Sequence, residues 1–211
     1  MTNMADGGRG LTELLPSNLI LEGQDVILEP MQLTHTRELI AAAEDGELWK
    51  LEYTGVPDRL SMPAAIEQAL AQKELGSEFP FVVRLKQSKL IVGSTRYYAI
   101  DDKNRNLSIG YTWYSKSVQR TSVNSECKYL LLEHAFERMK CISVQWHTDH
   151  RNVRSQNAIK RLGAKFEGVL RNAKIMPDGA IRHTHCFSML DTEWSESKTA
   201  LKSRLSHYRK S

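Results

Sequence analysis

The stretch that decides the fold is NVRSQNAIKRLGA, at residues 152–164. It opens with an asparagine, carries the small residues Ser155 and Ala158 on one helical face, and ends on Gly163. Small side chains let another molecule approach a helix closely, and a glycine just past a helix suits a left-handed C-terminal cap. The pattern therefore predicts a short helix over residues 153–162 that a ligand can approach.

A second unusual stretch, QRTSVN, lies upstream at the start of an apolar helix. The first amide groups of a helix have no intrahelical partner and its dipole is positive there, so a helix start binds anions. Together the two stretches predict a site for a long cofactor that carries phosphate groups. The upstream residues in question are Gln119, Arg120, Thr121, Ser122, Val123 and Asn124.

Bulk composition indicates one globular domain, because the 211 residues are 41% hydrophobic and 26% charged. A net charge of +4 agrees with an anionic ligand but is too small to argue for nucleic acid. The cysteines Cys127, Cys141 and Cys186 are odd in number and lack metal-ligand spacing, which argues against a disulfide framework or a metal site. With no signal-peptide pattern in residues 1–18 and no membrane-length apolar run, we expect a cytoplasmic protein.

The periodicity of apolar residues predicts three regions: a mobile N-terminal arm over residues 1–18, a single domain over 19–194, and a basic C-terminal tail over 195–211. Within the domain, helices are predicted after Thr34 and Ser61 and over the two stretches above. A helix that joins two consecutive strands makes those strands parallel, so we expect a mixed sheet. The predicted strands are 26–28, 79–85, 90–100, 107–114, 142–147, 164–171 and 182–190.

This element order resembles that of a GCN5-related N-acetyltransferase (GNAT), and more narrowly the ribosomal-protein N-terminal acetyltransferases. The resemblance covers residues 24–194 and rests on the 119–124 loop, the Asn152-x-x-Ser155 pattern, and the segments 123–128 and 161–171. It implies an α+β fold with a mixed central sheet of about seven strands flanked by about four helices. It also implies acetyl transfer from acetyl-CoA to a primary amine by direct attack on the thioester.

The resemblance implies that acetyl-CoA binds in a V-shaped opening between the strands at 107–114 and 142–147. Backbone amides of the 119–124 loop would hold the pyrophosphate, although Ser122 and Asn124 replace the family's glycines. Asn152 would hydrogen-bond the pantetheine arm, and no metal is implied.

The residues implied for proton transfer depart from the family. Ser108 stands where related sequences often carry a glutamate, and serine is no base near neutral pH, so that role is vacant or filled through water. The tyrosine that commonly protonates the departing thiolate falls at Ile159. Ser155 is the remaining candidate acid, with a small packing residue as the alternative.

For the acceptor, the resemblance points to the segment containing Trp49, Glu52 and Tyr53, where a carboxylate would suit a cationic amine. The two aromatic residues equally fit a place in the core. The acceptor is a protein N-terminus or a small-molecule amine, and the protein is a monomer or a homodimer.

A different kind of site is suggested by His147, Asp149 and His150, which follow a predicted strand. Their side chains splay at a strand end and no third element supplies a ligand, so solvated or capping roles are favoured over a metal site.

Two other functions stay open. The chain could be a CoA-binding sensor or interaction module that has lost efficient catalysis, given Ser108 and Ile159. It could instead contact RNA through the tail at 195–211, which salt-dependent binding would reveal.

Overall fold

A computed structural model describes residues 10–51, 53, 55–176 and 179–208. These residues form one sheet of eight strands in the order β1-β2-β3-β4-β5-β6-β8-β7. The strands are β1 Leu21–Glu22, β2 Val26–Pro30, β3 Glu78–Leu85, β4 Ile91–Asp101, β5 Asn106–Tyr114, β6 Ser143–Asp149, β7 Lys165–Ile175 and β8 Ile181–Leu190. The helices are α1 Thr36–Glu44, α2 Met62–Glu74, α3 Val123–Glu133, α4 Val153–Lys160 and α5 Asp191–Tyr208.

The sheet is mixed, as predicted. All neighbouring strands are antiparallel except β5 and β6, which α3 joins as a crossover. The α+β class and the order of the main elements are confirmed. Only β1 and α5 were not predicted as elements of the domain, because a two-residue strand shows no periodicity and α5 is largely polar.

Helices cover both faces of the sheet and enclose two apolar clusters. On one face, α1 and α2 bury Leu39 and Ile66 against Val82 of β3. On the other, α3 and α5 bury Leu131 and Leu201. The sheet is therefore the middle layer of a three-layer packing of helices and strands.

Both ranges that we separated from the domain contribute to its core. Leu11 and Leu15 are buried in the larger cluster, and the Thr12 hydroxyl donates to the Asp102 carboxylate at 3.1 Å. In the C-terminal range, α5 buries Leu201 and Leu205. From residue 10 onward the chain thus packs as part of the domain, because these leucines remove apolar surface from water. Residues 1–9 lie outside the described residues.

Across the described ranges, none of the helices combines the length and the apolar character that a membrane crossing requires.

Candidate functional site

The central feature of the site is a split between two parallel strands. β5 and β6 pair at Leu107↔Val144 and Ser108↔Gln145, after which β5 pairs only with β4 while β6 continues along β8. The strands therefore diverge beyond Ser108 and open the sheet at their carboxyl ends, where open sheets of this kind bind ligands.

A bulge in β5 lies directly past the split. Its register with β4 passes from Arg96↔Gly110 to Ser94↔Trp113, which leaves an extra residue on β5. Tyr111 lies in this bulge and adopts a left-handed backbone conformation, with φ of 50°. Bulges bend a strand and release backbone groups from the ladder, so β5 turns away from β6 here.

A buried lysine of α3 forms hydrogen bonds with the bulged strand and its neighbour β4. The ammonium of Lys128 donates to the hydroxyls of Thr112 (2.6 Å) and Thr95 (3.2 Å), which also bond each other at 2.8 Å. Burial lowers the pKa of Lys128 to about 8. This lysine was not singled out from the sequence, because its position on an apolar helix gives no signal of its partners.

The predicted anion-binding loop follows β5 and ends at the first turn of α3. The Thr121 hydroxyl donates to Val118 O at 2.7 Å and accepts from the Val123 amide at 3.3 Å, which fixes the entry into the helix. Gln119 joins the two sides of the opening. Its side-chain nitrogen donates to Tyr114 O (2.8 Å), while its oxygen accepts from Arg154 on α4 (3.0 Å).

Charges of both signs surround this loop. Arg120 is exposed and has a left-handed backbone, with φ of 67°. The Ser122 hydroxyl donates to the Asp25 carboxylate at 3.3 Å. Buried Glu126 holds Asp25 in place by accepting from the Asp25 amide at 3.1 Å. The loop thus combines a helix start and nearby arginines with two opposing carboxylates, those of Asp25 and Glu126.

The second predicted stretch forms α4, at the other side of the opening. The Asn152 side-chain oxygen accepts from the Ser155 amide at 2.9 Å, which confirms Asn152 as the N-cap. Among the described residues no partner bonds the Ser155 hydroxyl, which is half-buried. Ile159 is 7% exposed and packs in the core, and Gly163 has the left-handed φ predicted for a cap, 99°.

Asp149 and its neighbours build the turn between β6 and α4. The Asp149 side chain is fully buried and accepts from the Arg151 amide (2.8 Å) and guanidinium (3.1 and 3.0 Å). His150 lies 3.2 Å from the same carboxylate. The favoured capping role fits this arrangement, and within the described ranges no group of three potential ligands could hold a metal ion.

Position 108, where related sequences often carry a glutamate, is buried. Ser108 is 2% exposed, and above it the Tyr98 hydroxyl lies 3.0 Å from His147 Nδ1. The sequence pattern favours a solvated or capping role for His147 and does not point to Tyr98. The available signal was the pair of small residues Ser108 and Gly110 on one face of β5, which leaves room for a ring from a neighbouring strand.

The end of α1, which precedes the predicted acceptor segment, is tied to the far end of β5. The Asp45 carboxylate accepts from the Ser117 hydroxyl at 2.5 Å, and the Ser115 hydroxyl donates to Ala42 O at 2.8 Å. Trp49 is half-buried against the cluster of α1 and α2, and Tyr53 is half-buried as well. Glu52 lies outside the described residues.

Comparison with known proteins identifies the fold and the family. The family described as acetyltransferase (GNAT) domain matches residues 25–165. A T. thermophilus protein classed by inference as an acetyltransferase is 33% identical, with a TM-score of 0.76 over 88% of this chain and 96% of that one. A GCN5-related N-acetyltransferase from Brucella melitensis is 27% identical, with a TM-score of 0.80 over 90% and 87%.

More distantly, Mycobacterium smegmatis RimJ, solved in complex with CoA-disulfide, shares the fold. It is 18% identical, with a TM-score of 0.73 over 85% of this chain and 88% of that one. No curated protein matches the sequence at a significant level. The family match covers most of the chain and agrees with the split sheet and its two helix starts, so the chain belongs to the GCN5-related N-acetyltransferase family.

Proposed function

We propose that this protein is an acetyl-CoA-dependent N-acetyltransferase that moves an acetyl group to a primary amine by direct attack on the thioester. The observation that carries the proposal is the opening between β5 and β6, which has the first turns of α3 and α4 at its mouth. A ligand that is long and bears phosphate at one end suits this shape. The acceptor is a protein N-terminus or a small-molecule amine.

The residues at the mouth suit a pyrophosphate. Backbone amides of the 119–124 loop and the dipole of α3 would bind it, and Arg120 and Arg154 would add positive charge. Asn152 uses its side-chain oxygen for the cap. Its side-chain NH₂ group, which has no partner among the described residues, would donate to the pantetheine arm.

For the chemistry, we propose Ser155 as the group that protonates the departing thiolate. Its hydroxyl is half-buried in the first turn of α4 and is free to reorient, since only its amide is engaged. Serine is a weak acid, and a thiolate leaves easily, so the expected contribution lies at the low end of general acid catalysis.

For the acceptor, we propose that Trp49, Glu52 and Tyr53 shape its pocket. Asp45, four residues before Trp49, is anchored to the end of β5, which supports the nearness of the segment to the opening. A half-buried aromatic wall would exclude water, and the Glu52 carboxylate would attract a cationic amine.

The direct test is to incubate the protein with acetyl-CoA and amines of three kinds: N-terminal peptides, polyamines and free amino acids. Thiol release that depends on the amine, with a mass increase of the amine by one acetyl group, is the expected result. If acetyl-CoA binds but no amine is acetylated, the result favours the alternative of a CoA-binding sensor or interaction module. Ser108 and the Asp25 carboxylate are the features that favour that alternative.

A further inference from the structure

A hydrogen bond crosses the central strand of the site. Tyr98 lies on β4 and His147 on β6, and these strands are not neighbours, because β5 runs between them. Even so, the Tyr98 hydroxyl and His147 Nδ1 are 3.0 Å apart. Tyr98 is the register partner of Ser108, and His147 lies two residues past Gln145, the other partner of Ser108. Residues two apart on a strand share a face, so the contact passes over Ser108.

The sequence of β5 makes room for this contact. Ser108 is small, and Gly110, the next residue on the same face, has no side chain at all. A Cβ at Gly110 would lie 2.6 Å from Cε1 of the Tyr98 ring, closer than such atoms approach. The ring therefore rests on β5 at the point where β5 and β6 diverge. A glutamate at position 108 would occupy the space beneath it.

The pair remains accessible and lies among cationic groups. Tyr98 and His147 are both only partly buried. Burial lowers the pKa of His147 below its usual value of 6.5, and the charges of Arg182 and Lys174 lower it further. Burial also raises the pKa of Tyr98 to about 12, despite an opposing hydrogen bond with Ser108. Other titratable or charged groups facing the pair are Cys186, Tyr111, Arg96 and Glu78; Glu78 is the register partner of Tyr98 on β3, and its carboxylate is ion-paired with Arg96 at 2.6 Å.

The lowered pKa of His147 and the raised pKa of Tyr98 are consistent with a proton relay between the two side chains. Near neutral pH His147 is uncharged and can take up a proton, while Tyr98 keeps its proton and can pass it on only as it receives another. The Tyr98 and Tyr111 rings pack edge to face, with centroids 5.3 Å apart, so the Tyr98 ring also contacts the bulge.

We propose that Tyr98 and His147 form the proton-accepting pair of the acetyl transfer, in the place that Ser108 leaves without a carboxylate. The inference rests on the proposed function. The amine nitrogen forms a bond to the acetyl carbonyl carbon, and its proton passes to the Tyr98 oxygen as Tyr98 gives its own to His147 Nδ1. The C–S bond breaks, the sulfur leaves with the electron pair and takes up a proton from the Ser155 hydroxyl to give the free thiol. Ser155 recovers a proton from solvent, and His147 releases its proton to solvent.

The test compares Tyr98→Phe, His147→Asn and the double variant with the control His185→Asn. Asparagine keeps a polar group near the position of Nδ1 but cannot be protonated there. His185 pairs with Thr148, one position from His147 on β6, and therefore lies on the opposite face of the sheet. Each single variant is expected to lower kcat about 100-fold, as loss of general base catalysis does, while the Kd for acetyl-CoA stays within about twofold. The double variant is expected to be no slower than the worse single one, because the two residues act as a unit.

A second readout needs neither acetyl-CoA nor an acceptor. Nitrogen NMR of the free protein is expected to show neutral His147 with its proton on Nε2 and with a pKa below 6.5. In Tyr98→Phe the hydrogen-bond shift at Nδ1 should disappear and the His147 pKa should change. A proton on Nδ1, or His147 signals that Tyr98→Phe leaves unaltered, would overturn the pair.

The two proposals fail differently. If the wild-type protein acetylates an amine and the variants do so at the same rate, the pair is wrong and the proposed function stands. If the wild-type protein binds acetyl-CoA and acetylates none of the three kinds of amine, the proposed function fails and the catalytic role of the pair fails with it.

Discussion

The Asp25 carboxylate lies 3.3 Å from the hydroxyl of Ser122, the residue that immediately precedes α3. It therefore places a negative charge beside the helix start at which a pyrophosphate would bind. The contact also ties the turn before β2 to the entry of α3, which Glu126 reinforces by accepting from the amides of Gln24 (2.5 Å) and Asp25 (3.1 Å). The carboxylate thus stabilises the loop and opposes the ligand.

Asp25→Asn should tighten the binding of acetyl-CoA. The amide keeps a hydrogen-bond acceptor for Ser122 but removes the charge, and a charge several ångströms away in partly screened surroundings changes Kd about three- to tenfold. Calorimetric titration measures this change, with the exposed substitution Glu67→Gln on α2 as the charge-matched control. A Kd that stays the same, or weakens, would show that Asp25 does not face the bound phosphates.

Ser155→Ala should lower turnover by about tenfold or more while leaving the Kd for acetyl-CoA nearly unchanged. Only the Ser155 hydroxyl is lost, since the amide that Asn152 caps remains in place. The measurement is steady-state thiol release alongside a binding titration. Equal turnover in wild type and Ser155→Ala would show that the Ser155 hydroxyl does not act as the acid and that the residue only contributes to packing.

Gly163→Ala should destabilise the fold by about 1–3 kcal/mol. Gly163 has φ of 99°, and an added Cβ would also meet the Ser197 hydroxyl of α5. Gly179→Ala is the matched control, because φ there is 82° but a Cβ would meet no atom of the described residues within 4 Å. Urea unfolding of both variants separates the backbone cost from the contact with α5, and equal losses would argue against that contact.

Lys128→Met should reduce the dependence of stability on pH between about 8 and 10.5. The folded state lowers the pKa of Lys128 to about 8 from 10.5, so over this range the unfolded chain binds more protons and wild-type stability rises with pH by up to about 3 kcal/mol. Methionine has no proton to lose, and Thr95 and Thr112 still bond each other.

The free energy of unfolding at pH 8 and pH 10 measures this difference, with the exposed substitution Lys103→Met as the control. If Lys128→Met and wild type gain stability equally, the ammonium does not sit in the low-dielectric site that its contacts describe.

Much of the fold was predictable because its signals are local. Periodicity marks α3 and α4, a turn of polar residues separates β4 from β5, and Gly163 ends α4 in the conformation that its lack of a side chain allows. Local signals fail where packing decides. Thr34 was predicted to cap α1, yet a tight turn over Leu33–His35 precedes that helix.

The candidate site likewise contains residues that local sequence patterns identify and residues that only packing brings together. Asn152 is recognisable as a cap because its partner, Ser155, is three residues away. The contact between Tyr98 and His147 joins strands that are not even neighbours in the sheet, so no spacing in the sequence reveals it. Lys128 illustrates the same limit, because Thr95 and Thr112 reach it only after three elements have packed together.

The most direct test of the central claim is calorimetric titration with acetyl-CoA, comparing wild type with Ser122→Asp. Wild type is expected to bind with a Kd in the micromolar range, and the variant at least about tenfold more weakly, because its carboxylate would stand beside the pyrophosphate. Acetyl-pantetheine, which lacks that pyrophosphate, should bind weakly to both proteins. Binding that is absent at millimolar acetyl-CoA, or that Ser122→Asp leaves unchanged, would contradict a cofactor site at the start of α3.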